Sequence, residues 1–157
     1  MKKFKLTSEF IVDISGVKLF RIKALIEFGN VKAGDLGGYI EKEENLSHMG
    51  NAWVSGNARV SGDAQVFGDA RVFGDARVSG DARVSGDKDY AYAHGFGSCN
   101  RTTTFFRLKD GDVGVRCGCF YGTLAQFRDN VCETHGETKK AQEYLMLADL
   151  MDFRFKN

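Results

Sequence analysis

The chain has 157 residues, with 22 Lys+Arg against 21 Asp+Glu, 19 glycines and no proline. That length suits one domain or two small ones with a modest core; the balanced charge argues against a general nucleic-acid binder, and no apolar run approaches the ~18 residues of a membrane span. The start, Met1-Lys2-Lys3-Phe4-Lys5, lacks the apolar stretch of a signal peptide, and with four cysteines a reduced cytosolic setting is expected over a disulfide scaffold.

Residues 1–33 read as a strand cap. Phe4, Phe10-Ile11-Val12 and Val17 through Leu25 form short apolar strands, with Ser15-Gly16 and Phe28-Gly29-Asn30 as turns.

An internal repeat of six residues follows. Gly56, Gly62, Gly68, Gly74, Gly80 and Gly86 are evenly spaced, with valine at 54, 60, 66, 72, 78 and 84 and alanine at 52, 58, 64, 70, 76 and 82. Ala-Arg-Val-Ser alternates small-in, polar-out, apolar-in, polar-out, which is a short strand, and Gly-Asp turns the chain. One such strand cannot bury its face alone, but a stack can, and the result is a β-helix. The phase extends back through Leu36 and Ile40 on inward slots and Gly38 and Gly50 on corners, so the coil is expected to run over about 34–89 in about three turns.

Residues 18 apart then lie above one another. The outward ladders are Asp35–Trp53–Arg71 beside Gly37–Ser55–Phe73, Glu41–Arg59–Arg77 beside Glu43–Ser61–Ser79, and Ser47–Gln65–Arg83 beside Met49–Phe67–Ser85. Arg59 is expected to pair with Glu41, and Arg71 to stack on Trp53. Met49, Trp53, Phe67, Arg71 and Phe73 are the candidate interface residues, because outward aromatics on a β-helix need a neighbour. That neighbour is either another subunit or the chain's own C-terminal segment. His48 and Lys42 fall on inward slots, with His48 read as a satisfied cap residue, and the corner aspartates 63, 69, 75, 81 and 87 are read as turn formers rather than calcium ligands.

The repeat over Ala52–Asp87 resembles the hexapeptide-repeat superfamily, whose β-helix is left-handed with three hexads to a turn. That resemblance implies handedness, a homo-oligomer such as the trimers common in that superfamily, and an acyltransferase as one alternative function. For that alternative His94 is the one histidine near an edge, but the protruding loop those enzymes carry is absent from the regular hexads. Leu19-Phe20-Arg21-Ile22-Lys23-Ala24-Leu25 with Gly34-Asp35-Leu36-Gly37-Gly38-Tyr39-Ile40 resembles the leader of uncharacterised β-helix proteins of phages, prophages and gut bacteria.

From Tyr90 the composition changes. Asp110-Gly111 signals a two-residue hairpin turn. With Lys109 opposite Asp112, Phe106 opposes Val115, Thr104 opposes Cys117 and Phe105 opposes Arg116. Phe105, Arg107 and Arg116 then share a face bared by Gly114 and Gly118, with Arg101 before it: the candidate site for a planar anionic ligand such as a nucleotide, or for an acidic protein surface. The other reading of that face has the helices covering it. Thr123-Leu124-Ala125-Gln126 is a capping box opening a helix with Leu124, Phe127 and Val131 on one side, ending at Gly136. A second helix over about 138–152 carries Ala141, Tyr144, Leu145, Ala148 and Met151 at helical spacing.

Cys117, Cys119, Cys132 and His135 make one possible zinc set, against which the hairpin register makes the strand cysteines small core groups. The expected whole is mainly β: a short left-handed β-helix (34–89) with an N-terminal β cap (1–33) and a C-terminal hairpin-plus-two-helix segment (90–157). The function expected is that of a non-enzymatic phage or prophage accessory binding protein in the bacterial cytoplasm, needing no cofactor, which counters host defence by binding a host immune protein or a nucleotide signal. A structural part of a phage particle is the further alternative.

Overall fold

A computed structural model describes residues 2–96, 101–118 and 120–156, with only the backbone of Arg101. The order is β1 (Phe4–Val12), β2 (Lys18–Ala24), β3 (Leu36–Ile40), then six two-residue strands: β4 (Trp53–Val54), β5 (Arg59–Val60), β6 (Gln65–Val66), β7 (Arg71–Val72), β8 (Arg77–Val78) and β9 (Arg83–Val84). β10 (Tyr90–Phe96), β11 (Arg101–Arg107), β12 (Val113–Cys117), β13 (Phe120–Thr123), α1 (Leu124–His135) and α2 (Lys139–Phe155) complete it. The protein is mainly β, with a solenoid-like repeat region and two C-terminal helices.

In the solenoid β4 pairs with β7, β5 with β8 and β6 with β9, all parallel. Trp53 lies beside Arg71 and Val54 beside Val72, so the coil repeats every 18 residues there. Every repeat valine and alanine is buried, valine stacked on valine. The corner glycines from Gly56 to Gly80 hold φ of 63–67°, a left-handed turn that a side chain would strain.

The first coil is longer. Ile40 pairs with Val60 and Leu46 with Val66, offsets of 20 residues, because the segment from Leu46 to Val54 is two residues longer than a hexad. This corrects the expected phase at several positions. Leu36 is 55% exposed rather than inward, and Ile40 and Leu46 fill the valine slots. Gly38 lies under Ala58 instead of at a corner. Lys42 reaches the surface and pairs with Asp63 at 2.7 Å. Tyr39, not Glu41, sits below Arg59; Glu41 instead accepts from the Gly62 amide at 2.8 Å.

Parallel coils are polar along the stack. Each lower coil donates N–H to carbonyls of the coil above, as in Arg59 N–H to Ala76 and Ser61 N–H to Val78. One end of the stack therefore presents carbonyls and the other N–H groups, and each unpaired buried group is costly. The chain answers with side chains of matching sign. At the carbonyl end the Lys3 ammonium donates to Ala52 at 2.6 Å and Gly50 at 3.4 Å, and Arg21 donates to Gly37. The Asn45 amide donates to Gly62 and Ala64 where the longer first coil breaks the ladder. At the N–H end Thr104 Oγ1 accepts from Arg77 and the Asp89 carboxylate from Ser85.

The β1–β2 hairpin does more than plug an end. It adds two antiparallel strands to one solenoid face, giving the order β1-β2-β3-β5-β8. The C-terminal strands form a separate sheet, β10-β11-β12-β13. Its central hairpin differs from the expected register by one residue: Phe105 faces Val115, Phe106 faces Gly114 and Thr104 faces Arg116. The connection is a three-residue loop, Lys109-Asp110-Gly111, with Leu108 bonded to Asp112 and Gly111 at φ 91°. A one-residue slip exchanges the two faces. Phe106, Leu108 and Tyr90 now close the top of the solenoid core, while Phe105, Val113, Val115 and Cys117 form a second core with the helices. Both helices start where expected: Thr123 caps α1 in a full capping box, and Thr138 caps α2.

Candidate functional site

The register governs where the expected ligand residues go. Phe105 is fully buried, edge-on to Phe127 of α1 at 6.1 Å. Arg107 shares its side of the sheet but is engaged: its Nε donates to Asp89 at 3.0 Å and its guanidinium lies over Phe155 at 5.4 Å. Arg116 points to the opposite side, toward the solenoid. The anticipated Phe105–Arg107–Arg116 face is therefore not assembled, and the helices cover its Phe105 side. The Arg101 side chain lies outside the described residues.

Of the anticipated interface residues, Met49, Phe67 and Phe73 are exposed, at 81, 38 and 49%. Trp53 is buried, its ring met edge-on by Phe28 at 5.3 Å, and Arg71 makes no cation–π contact with it among the described residues. Tyr90 and Tyr92 meet Phe73 edge-on, so the chain's own C-terminal segment covers part of that ladder. The sequence reading overlooked the outer side of α2. Met146, Leu150 and Phe153 are 70, 54 and 78% exposed and lie on one stripe at helical spacing. That spacing is visible in the sequence, but the inner stripe at Ala141, Tyr144 and Ala148 had already accounted for the helix.

His48 lies outside the inward slot expected of it. It stacks on Phe4 at 4.2 Å, its Nδ1 accepts from the Lys3 amide and its Nε2 donates to Glu43. His94 bonds Thr102 Oγ1 at 2.9 Å, and His135 packs on Tyr144. In the zinc set, Cys117 is buried with Thr103 and Tyr144 hydroxyls at its sulfur, Cys132 is exposed, and Cys119 lies outside the described residues. Among the described residues no three His, Cys, Asp or Glu side chains gather around a metal-sized space.

Charge concentrates instead where three parts of the fold meet. Asp13 from the β1–β2 turn, Arg59 and Arg77 from adjacent solenoid strands and Arg116 from β12 line one crevice, with Leu19, Ser61 and Ser79. Arg59 and Arg77 are in-register neighbours, like charges stacked one coil apart. The acid expected beneath them is absent, because the longer first coil moved Glu41 away. Burial first, then the Arg59 and Arg116 charges, pulls Arg77 below the ordinary arginine range. Asp13 is the carboxylate lining the crevice. Burial would raise it, but the Ser15 hydroxyl, the Val17 and Ser15 amides and the Arg116 charge outweigh that and hold it below the usual carboxylate range. The stacked arginine pair is readable from the sequence once the coil offset is known. The arrival of Arg116 and Asp13 depends on tertiary packing.

Residues 52–66, 64–78 and 76–87 match the family model of the YdcK beta solenoid repeat, to which this stretch of the chain is similar. No curated protein matches the chain significantly. Among the described residues no helix is long and apolar enough to cross a membrane.

Proposed function

We propose that the protein is a non-enzymatic binding protein: a left-handed β-helix of about three turns serving as a rigid base, with the C-terminal segment supplying the recognition surface. The phage and prophage resemblance of the leader makes a host protein in the bacterial cytoplasm the proposed partner, with counter-defence as the proposed role. The observation that carries the binding reading is the outer stripe of α2, Met146, Leu150 and Phe153. Its inner side is committed to the second core, so a second apolar stripe adds nothing to the fold and favours a helix-face contact with another protein. His48 has both ring nitrogens in hydrogen bonds, so it is not free to act as the base that acyl transfer needs, and the edge histidine His94 has its Nδ1 taken by Thr102 Oγ1.

The test is a Met146→Glu/Phe153→Glu double variant, compared with wild type by light scattering and by capture from a prophage-bearing host. The expected result is loss of the specific partner with unchanged helix content and melting temperature. Retention of the same partner and stoichiometry would overturn the assignment of this surface. Self-association has its own support in Met49 and Phe67, two large apolar side chains left exposed on the solenoid. A discrete oligomer lost on Phe67→Ser is the result expected for that surface.

A further inference from the structure

The crevice lined by Arg59, Arg77 and Arg116 has no use in a helix-face contact, and its chemistry is of a different kind. Three guanidiniums converge there with one carboxylate, Asp13. That carboxylate is already engaged by the Ser15 hydroxyl at 2.7 Å and by the Ser15 and Val17 amides at 2.9 and 3.0 Å. Arg116 Nε donates to the Gly118 carbonyl at 3.3 Å. No other hydrogen bond or ion pair is made by the three guanidiniums among the described residues. Asp75 acts on Arg77 only through its charge.

A second observation is independent of charge. Ser79 is 5% exposed, and its hydroxyl is a buried side-chain polar atom without a hydrogen-bond partner among the described residues. It lines the same crevice. A buried orphan hydroxyl beside two stacked arginines costs stability on both counts, unless a further group accepts from them all.

We infer that this crevice is an oxyanion site, in which a phosphate- or sulfate-class anion accepts hydrogen bonds from Arg59, Arg77, Arg116 and Ser79. The free space is about 10 Å³, enough to seat one oxygen between the side chains. The remaining oxygens stay at the mouth, where the planar guanidinium forks suit them. The small space excludes a nucleobase from the interior, so a nucleotide would engage through its terminal phosphate alone. Because the lining comes from the N-terminal turn, the solenoid and the C-terminal sheet, the anion also clamps the three together.

The experiment titrates inorganic phosphate into the full chain at constant ionic strength, reading heat of binding and melting temperature, with chloride and AMP as parallel titrants. Saturable one-to-one phosphate binding is expected, with a melting temperature that rises with phosphate and not with chloride. Arg77→Gln should weaken phosphate binding by at least about tenfold and raise the melting temperature in phosphate-free buffer by relieving the stacked charges. Arg107→Gln, away from the crevice, should bind as wild type does. Equal affinities for phosphate and AMP assign the free ion's chemistry alone, whereas tighter AMP assigns an esterified phosphate. Equal effects of chloride and phosphate, or undiminished binding by Arg77→Gln, would overturn the site. Should Arg77→Gln fail to fold, Arg116→Gln and Ser79→Ala carry the same comparison.

Discussion

The molecule holds two cores filled by opposite means. The solenoid interior is a ladder of valine and alanine, valine stacked on valine from coil to coil beyond the first, where Ile40 and Leu46 take valine's place. The C-terminal core is an aromatic cluster in which Phe127 meets Phe105 and Tyr144 edge-on and Phe120 at a tilt. In the first, register is specified again at every hexad, so no single side chain decides it. In the second, a few large side chains each carry a large share of the burial, and one sheet must serve both cores at once. Repetition distributes stability, while a small aromatic core concentrates it.

The largest expected effect follows from that concentration. Phe127→Ala should cost about 3–5 kcal/mol, the range for a large side chain removed from a packed core. The chain offers two separate probes. Its single tryptophan, Trp53, lies in the solenoid core, while both helices belong to the other. Helical circular dichroism should melt earlier in Phe127→Ala while the tryptophan signal holds its temperature. If both signals fall together, the two cores are one cooperative unit and the contrast dissolves. Val72→Ala is the reciprocal case. Removing two methylene-sized groups costs about 2 kcal/mol, and it should move the tryptophan transition first.

The same contrast explains how much was legible in advance. The hexads spelled out the solenoid strands because each repeats one physical solution, the Thr123 capping box announced the start of α1, and the apolar spacing from Ala141 to Met151 announced α2. The first coil was misphased because Ile40 and Leu46 do valine's work across an enlarged corner, a change of two residues that the evenly spaced glycines after it do not reveal. The hairpin slipped by one because Asp110-Gly111 suits a two-residue turn equally well. What decides between the registers is the burial of Phe105 under α1 and of Phe106 over the solenoid, and neither neighbour is near in sequence. The candidate ligand face fell with that register, and the arginine crevice arose from it.

Thr123→Ala sharpens the comparison at smaller amplitude. Thr123 accepts from the Gln126 amide while the Gln126 side chain accepts from the Thr123 amide. Loss of such a cap costs about 1 kcal/mol, and it should appear in the helical signal alone.

The smallest effect sought is a slope rather than a loss, and it belongs to the solenoid's carbonyl end. Burial lowers Lys3 to about 8 from the usual 10.5, while its Nζ holds the Ala52 and Gly50 carbonyls. Below pH 8 both folded and unfolded chains carry the proton, and the cost of burying the ammonium is fully present. Between about 8 and 10.5 the unfolded chain binds the proton and the folded chain does not, so the contribution of Lys3 to stability rises with pH. Above that window neither binds it, and the neutral amine still donates to both carbonyls. Tyr90, raised to about 12 chiefly by burial, pulls the other way at the upper edge, since its stabilising contribution fades as pH climbs past the unfolded tyrosine value near 10. Subtracting the melting temperatures of Lys3→Met from those of wild type removes Tyr90 and every other shared group. The difference should move in favour of wild type from pH 8 to 10. A flat difference would mean that Lys3 keeps its ordinary pKa and that the carbonyl end is held by a hydrated charge rather than a buried one.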